Sequence, residues 1–118
     1  MLAARPEDTN WHEIVRLYDL LDHRQPSPIV SLNRAVAVAM ASGPGAALSL
    51  IDSLVPELND YHLLHAARAD LLRRMGSGRE AAQSYERALE LVTNESERRF
   101  LERRLREVRS AKVSGQQN

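Results

Sequence analysis

Apolar side chains recur three or four residues apart in six segments of the chain, separated by polar, proline- or glycine-containing stretches. This spacing places the apolar side chains on one face of an α-helix. No segment alternates apolar and polar residues with a period of two, so no β-strand is predicted. The six predicted helices begin at about residues 11, 28, 44, 61, 79 and 95.

Local signals support these boundaries. Glu13 stands three residues after Asn10, and Glu97 stands three residues after Asn94, which is the spacing of a capping box. Pro28 suits the first turn of a helix that starts at Ser27, because the first helical amides have no partner within the helix. A loop is predicted at residues 56–60, which contain Pro56 and Asn59-Asp60.

The helices repeat with a regular period of about 34 residues, which is the length of a tetratricopeptide unit. Three residues that signal the start of a helix, Ser27, Asp60 and Asn94, are separated by nearly this length. Gly43 and Gly76 are separated by nearly the same length. The apolar positions of one unit recur in the next. Ala81, Tyr85 and Ala88 each follow one period after Ala47, Ile51 and Leu54, respectively. Helix–turn–helix units of this kind bury apolar area by stacking on one another. The predicted fold is all-α, a tetratricopeptide-like right-handed solenoid of about six antiparallel helices with a groove for a partner.

The pattern also predicts the limits of the domain. Residues 1–8 are interpreted as a cut end or linker, residues 9–112 as the helical domain and residues 113–118 as a disordered tail. The first helix is interpreted as the second member of a unit whose first member is absent. The missing helix would leave Trp11, Ile14 and Tyr18 at an exposed edge, which favours a homodimer of these residues in isolation.

Composition and charge exclude several classes of protein. The chain of 118 residues is 43% apolar and 27% charged, which is ordinary for a globular domain. It has no cysteine, so disulfide and thiol chemistry are excluded, and a cytoplasmic location is compatible. A formal net charge of zero argues against strong nonspecific binding to nucleic acid. No apolar run is long enough to span a membrane, and the N-terminus does not resemble a signal peptide.

Candidate chemistry is sparse. His62 and His65 lie three residues apart, with Asp60 and Asp70 as the nearest further metal ligands, and the pattern favours no metal site. The Gly43-Pro44-Gly45 and Gly76-Ser77-Gly78 turns do not follow strands, so they do not predict a phosphate-binding loop. We therefore expect no enzyme activity and no cofactor.

Polar residues inside the second and fourth predicted helices are more informative. These candidate residues are Asn33, Arg34, His65, Arg68, Asp70, Arg73 and Arg74. A buried arginine is costly unless it is paired, so Arg34 and Arg68 should reach acids, with Asp19 and Asp70 as candidates. The favoured interpretation is a structural polar network. The alternative is that these side chains line the groove and hold a partner.

The last predicted helix is rich in arginine, with glutamates between the arginines. Pairs such as Glu95–Arg99 and Glu102–Arg106 have the i to i+4 spacing of helical ion pairs. The favoured interpretation is a solvated, self-paired helix that ends near Ser110. A surface for an acidic partner or for nucleic acid is the alternative.

Several runs of residues resemble one known family. They are residues 11–21 (WHEIVRLYDLL), 26–37 (PSPIVSLNRAVA), 61–74 (YHLLHAARADLLRR), 80–89 (EAAQSYERAL) and 94–101 (NESERRFL). Together they are similar to the tetratricopeptide-like C-terminal extension of bacterial extracytoplasmic function sigma factors. The LNRAVA and HAARADLL runs carry most of the resemblance.

The resemblance implies a regulatory interaction domain of a sigma factor in the cytoplasm. Its expected partners are the sigma regions of the parent chain or RNA polymerase, and the promoter-binding regions would lie outside these 118 residues. Direct DNA binding by this domain and contact with a membrane are not expected. The alternative is a stand-alone tetratricopeptide adaptor that holds a peptide or an acidic protein.

Overall fold

A computed structural model describes the backbone of residues 9–116 and the side chains of residues 9–111. The described residues form helices and turns only, and no strand is present among them. The helices are α1 (Trp11–Arg24), α2 (Pro28–Ser42), α3 (Pro44–Ser53), α4 (Val55–Leu58), α5 (His62–Arg74), α6 (Gly78–Leu91) and α7 (Glu95–Gln116). The all-α prediction is confirmed, and none of these helices is both long and apolar enough to cross a membrane.

The structure differs from the prediction of six helices at α4. The segment predicted as a loop at residues 56–60 contains a single helical turn, Val55–Leu58, that starts directly after α3. Pro56 occupies the first turn, where the missing amide hydrogen breaks no helical hydrogen bond. The turn buries Leu58 against the neighbouring helices.

Side-chain caps form at two of the predicted helix starts. The Asn10 side chain accepts a hydrogen bond from the Glu13 amide at 3.2 Å, and Asn94 accepts one from the Glu97 amide at 2.9 Å. Ser27 makes no side-chain cap. Its amide instead donates to the Asp22 carboxylate at 3.2 Å, which ties the end of α1 to the start of α2. The fourth predicted helix begins at His62, close to its predicted start near residue 61, and its N-terminal cap is Tyr61 instead of the start signal Asp60.

Two glycines make the sharp turns that the repeat requires. Gly43 has a φ of 94° and serves both as the C-terminal cap of α2 and as the N-terminal cap of α3. Gly76 has a φ of 81° in the turn between α5 and α6. Such φ values are costly for a residue that carries a Cβ atom.

The core consists of two clusters of buried apolar side chains. The first cluster lies among α2, α3, α4 and α5, and it contains Ile51 and Leu64. The second lies among α5, α6 and α7 and surrounds Tyr85, which is 1% exposed. Helix α5 contributes to both clusters. The predicted stripe on α6, Ala81, Tyr85, Ala88 and Val92, is buried.

Each helix packs mainly on its neighbours in the chain. The main contacts are α1 with α2, α2 with α3, α3 with α5, α5 with α6, and α6 with α7. Short turns join these helices, so successive long helices run antiparallel. Helix α1 has no buried residue, because α2 covers one side of it only.

Helix α7 extends further than the sequence indicated. It continues to Gln116, past Ser110 and into the segment 113–118 that was predicted to be disordered. Beyond its last core contact at Val108, the helix continues through Arg109 and Ala111, which are good helix formers. The predicted linker at residues 1–8 and the last two residues lie outside the described part of the chain.

Candidate partner-binding groove

A surface groove runs between α2 and α5. It has a volume of about 300 Å³ and is lined by Leu32, Asn33, Val36, Tyr61, Leu63, Ala66 and Ala67. We call it the α2–α5 groove. Most of its lining is apolar, and Asn33 supplies an amide that both donates and accepts hydrogen bonds.

The helical repeat explains why α2 presents these side chains. Ile29, Val36 and Met40 are 39%, 43% and 41% exposed, and together with Asn33 they follow one another at intervals of four, three and four residues. These positions form one stripe on a helix. The buried residues of α2, among them Leu32, Ala35 and Ala39, face the core instead.

Helix α5 supplies the opposite wall. Leu63 is 43% exposed, and the small side chains of Ala66 and Ala67 leave space beside it. Exposed apolar side chains on adjacent helices form a continuous patch, which is the type of surface that marks an interaction site.

A charged cluster lies towards the C-terminal ends of α2 and α5. The Asp70 carboxylate accepts a hydrogen bond from Arg73 at 2.6 Å and lies 3.0 Å from Arg74. The Arg74 guanidinium also contacts the Met40 sulfur at 3.7 Å, which links α5 to the exposed stripe of α2. The charged cluster therefore borders the apolar surface.

Arg73 faces the core side of this cluster. Its Nε atom is buried and makes no hydrogen bond to the described residues. The hydrogen bond to Asp70 raises the pKa of Arg73. Burial acts in the opposite direction and lowers the pKa, whereas the nearby Tyr85 side chain raises it further. Arg73 thus forms its ion pair within α5 and does not line the groove.

Arg34 lies in a different pocket, between α1, α2 and α3. This pocket of about 170 Å³ is lined by Asp19, Asp22, Ser31, Arg34, Leu50, Ser53 and Leu54. As predicted, Arg34 reaches Asp19, with 3.5 Å between Nε and Oδ1, although the geometry is an ion pair and not a hydrogen bond. Arg34 therefore attaches α1 to α2.

Arg68 pairs with a different acid from the one predicted. It donates to Asp52 at 2.8 Å and to the Ser84 hydroxyl at 2.8 Å, so it joins α5 to α3 and α6. Asp70 is two residues further along α5 and points away from Arg68, because helical residues two apart do not share a face.

The two histidines of α5 also make structural contacts. His65 is 7% exposed, and its Nε2 atom lies 2.7 Å from the Asn59 carbonyl oxygen, at the turn between α4 and α5. His62 lies 2.5 Å from the Glu97 carboxylate and connects α5 to α7. No sequence signal indicated this second contact, because the two residues are 35 positions apart.

The arginines of α7 pair mainly within their own helix. Arg99 lies 3.9 Å from Glu95, as predicted, and Arg104 lies 3.0 Å from Glu107. Arg109 pairs with Glu86 of α6. The predicted Glu102–Arg106 pair is absent from the described ion pairs, since exposed long side chains gain little from pairing in water.

The seven candidate residues therefore divide into two groups. Asn33 lines the α2–α5 groove, and Asp70 and Arg74 lie at its charged border. Arg34 and Arg68 join different helices, His65 contacts the α4–α5 turn, and Arg73 pairs with Asp70 within α5. Within residues 9–111, no three histidine, aspartate or glutamate side chains converge as metal ligands would.

Comparison with known proteins identifies a relative of unknown function. The chain is 45% identical over 103 residues to an uncharacterised protein of Rhizobium meliloti (strain 1021). The match covers 87% of this chain and 24% of the relative, so the chain spans about a quarter of that protein's length. No family model matches the chain. No solved structure matches it either.

Proposed function

We propose that these residues form the regulatory protein-interaction domain of a bacterial extracytoplasmic function sigma factor, located in the cytoplasm. The proposal rests on the resemblance of five sequence runs, above all LNRAVA in α2 and HAARADLL in α5. These two runs lie on the helices that form the α2–α5 groove. The sigma regions themselves would lie in other parts of the parent protein, for which the much greater length of the Rhizobium relative leaves room.

We further propose that the helices form a tetratricopeptide-like right-handed solenoid. Contacts between neighbours in the chain, with α5 shared by two core clusters, are typical of stacked helix pairs. The radius of gyration is 15.4 Å. A compact globule of this length would have a value of about 13.5 Å, so an elongated stack is supported.

The α2–α5 groove is the structural observation that supports an interaction domain. Its exposed apolar residues favour an apolar segment of a protein partner, and the Asn33 amide can pair with the backbone of that segment. The proposed partner is the sigma regions of the parent chain, with RNA polymerase as the second candidate. The self-paired arginines of α7 support a domain that does not bind DNA directly.

Co-purification of this domain with separately produced sigma regions, at low salt, tests the proposal. The unmodified domain should retain the sigma regions. Val36→Glu and Leu63→Glu each place a charge in the apolar groove and should weaken retention at least about tenfold. Met75→Glu is the matched control, because Met75 is 45% exposed and does not line the groove.

Two results would contradict the proposal. Failure of the unmodified domain to retain the sigma regions or RNA polymerase would leave the stand-alone adaptor as the better explanation. Equal retention by the Val36→Glu variant and the Met75→Glu control would show that the α2–α5 groove is not the contact surface.

A further inference from the structure

The outer side of α7 carries a line of arginine and serine side chains with no acidic residue among them. Five exposed residues form this line, which we call the α7 arginine stripe: Ser96, Arg99, Arg103, Arg106 and Ser110. They follow one another at intervals of three and four residues in turn, so they share one face of the helix. The residues that α7 buries in the core, Leu101, Leu105 and Val108, lie on the opposite face.

The charges of the stripe are largely unpaired. Within residues 9–111, the side chains of Arg103 and Arg106 make no ion pair and no hydrogen bond. Arg99 lies 3.9 Å from Glu95, and Arg98 approaches the same carboxylate to the same distance. The guanidinium groups of the stripe are therefore available to a partner.

An exposed aromatic ring lies beside the stripe. Phe100 is the only phenylalanine of the chain and is 47% exposed. It follows Ser96 by four residues and precedes Arg103 by three, so it neighbours both on the helix surface. The Arg104 guanidinium lies over the ring, 5.3 Å from its centre. Aromatic side chains and arginines are enriched in interfaces between proteins, so this combination favours a protein partner.

Glutamates on both flanks of the stripe limit the width of that partner. Glu95 and Glu102 lie along one side of the stripe, and Glu107 lies along the other. A helix in the major groove of DNA has phosphates on both sides, so these carboxylates would be repelled. The net charge of zero also provides no long-range attraction for nucleic acid. A second α-helix laid along the stripe places its own central line, and not its flanks, against the arginines.

We propose that the α7 arginine stripe binds an acidic α-helix of a protein partner. Arg99, Arg103 and Arg106 are separated along the helix axis by about 6 Å and about 4.5 Å. Carboxylates at intervals of four and three residues on a partner helix have the same separations, so each carboxylate can face one arginine. An apolar side chain beside them covers Phe100. The stripe shares no residue with the α2–α5 groove, so it is a second interaction surface that does not depend on the proposed function.

An NMR titration of the isotopically labelled chain with two synthetic peptides tests the proposal. The aligned peptide is an alanine-based helix of about 20 residues, with three glutamates at intervals of four and three residues and a leucine beside them. The comparison peptide has the same composition, but its glutamates lie on different faces of the helix. At low salt, the aligned peptide should shift the amide resonances of residues 96–110 with a dissociation constant of roughly 0.1–1 mM. The comparison peptide should bind at least about threefold more weakly.

Variants of the chain test which residues form the contact. Arg103→Gln combined with Arg106→Gln removes two charges from the stripe and should weaken binding of the aligned peptide at least about fivefold. Arg24→Gln combined with Arg79→Gln is the matched control, because it removes the same charge from exposed positions on α1 and α6 and should leave the affinity unchanged. Phe100→Ala should weaken binding about threefold by removing the apolar part of the contact. Far-UV circular dichroism confirms that each variant is folded.

Several results would overturn the proposal. One is the absence of a saturable shift on α7 with the aligned peptide at concentrations up to about 2 mM. Equal binding of the two peptides, or an equal loss in the two double variants, would show that overall charge and not the stripe is responsible. Tighter binding of a DNA duplex of about 20 base pairs at the same resonances would assign the stripe to nucleic acid. Failure here leaves the α2–α5 groove and its sigma partner untouched, and retention of sigma regions by that groove does not rescue the stripe.

Discussion

Arginine side chains on α2 and α5 lie at junctions between helices. Arg34 contacts Asp19 of α1, Arg68 contacts Asp52 of α3 and Ser84 of α6, and Arg73 lies against Asp70 and the core. Each guanidinium keeps part of its surface in water, so its cost of burial is moderate. Arg34 and Arg68 therefore fix how neighbouring helices meet, whereas Arg73 pairs within α5, and the apolar clusters supply most of the stability.

Tyr85 is the largest side chain in the second core cluster and is fully buried. Tyr85→Ala removes its ring and leaves a cavity between α5, α6 and α7, so it should lower the free energy of unfolding by about 3–5 kcal/mol. Urea unfolding measures this loss. Tyr61→Ala, at a partly buried position, is the control and should cost less. A loss below about 1 kcal/mol would mean that α6 does not pack as described.

The hydroxyl of Tyr85 makes a separate prediction about pH. Burial raises the pKa of Tyr85 above its ordinary value of 10.0, and the nearby Arg73 only partly offsets this. A tyrosine that ionises more readily in the unfolded chain contributes stability below its unfolded pKa and loses that contribution as the pH rises through the folded pKa. The domain should therefore lose stability above about pH 10.

Thermal unfolding at two pH values on either side of the ordinary tyrosine pKa tests this expectation. Tyr85→Phe should remove much of the alkaline loss while keeping the packing of the ring. Tyr61→Phe is the matched control and should retain the loss. An equal alkaline loss in both variants would assign the effect to other groups.

At the scale of the helices, the sequence predicted the positions that local chemistry determines. Asn10 and Asn94 cap helices, Gly43 and Gly76 turn the chain, and the Ala81–Tyr85–Ala88 stripe is buried. The turn at Pro56 was missed, because a proline fits both a loop and a first helical turn.

Contacts between helices were less predictable. The Arg68–Asp52 and His62–Glu97 pairs join residues that are 16 and 35 positions apart, and no local spacing encodes how their helices are placed. The candidate site was predicted in part for the same reason. Asn33 lies in the groove, but its apolar walls at Val36 and Leu63 were identified only once α2 and α5 were seen side by side.

Arg68 provides a test at this scale, because one side chain connects three helices. Arg68→Ala leaves the Ser84 hydroxyl, 4% exposed, without its donor and removes the link to Asp52, so it should cost about 1–3 kcal/mol. Arg68→Lys should recover little of the lost stability, since an ammonium group cannot reproduce the two hydrogen bonds that the guanidinium donates in different directions.

The matched control for this experiment is Arg99→Ala. Arg99 is 73% exposed and lies 3.9 Å from Glu95 on its own helix, so its loss should cost less than about 0.5 kcal/mol. Chemical unfolding measures both variants. Equal effects would show that the contacts of Arg68 between helices add no more than a surface pair.

At the scale of the whole molecule, α5 belongs to both core clusters, through Leu64 and Leu71 in the first and Ala69 and Leu72 in the second. Loss of α5 would expose both clusters, so α2 to α7 should unfold together. Helix α1 contributes no residue to either cluster and should open at a lower free-energy cost.

Trp11, the only tryptophan of the chain, lies at the start of α1 and reports this difference. Trp11 fluorescence should change at a lower urea concentration than far-UV circular dichroism. A reporter on α7, made by combining Trp11→Phe with Phe100→Trp, should follow the circular dichroism. Coincident curves for both reporters would mean that α1 unfolds with the rest.

Gly43 is the only residue between α2 and α3, and this has a consequence for how such domains can change during evolution. Because a single residue joins the two helices, an inserted residue would displace α3 and carry Ala47 and Ile51 out of their present positions in the core. The turn between α4 and α5, which contains the exposed residues Asn59 and Asp60, tolerates inserted residues far better. Insertions among descendants of this sequence should therefore accumulate at the α4–α5 turn and be absent from the joint at Gly43.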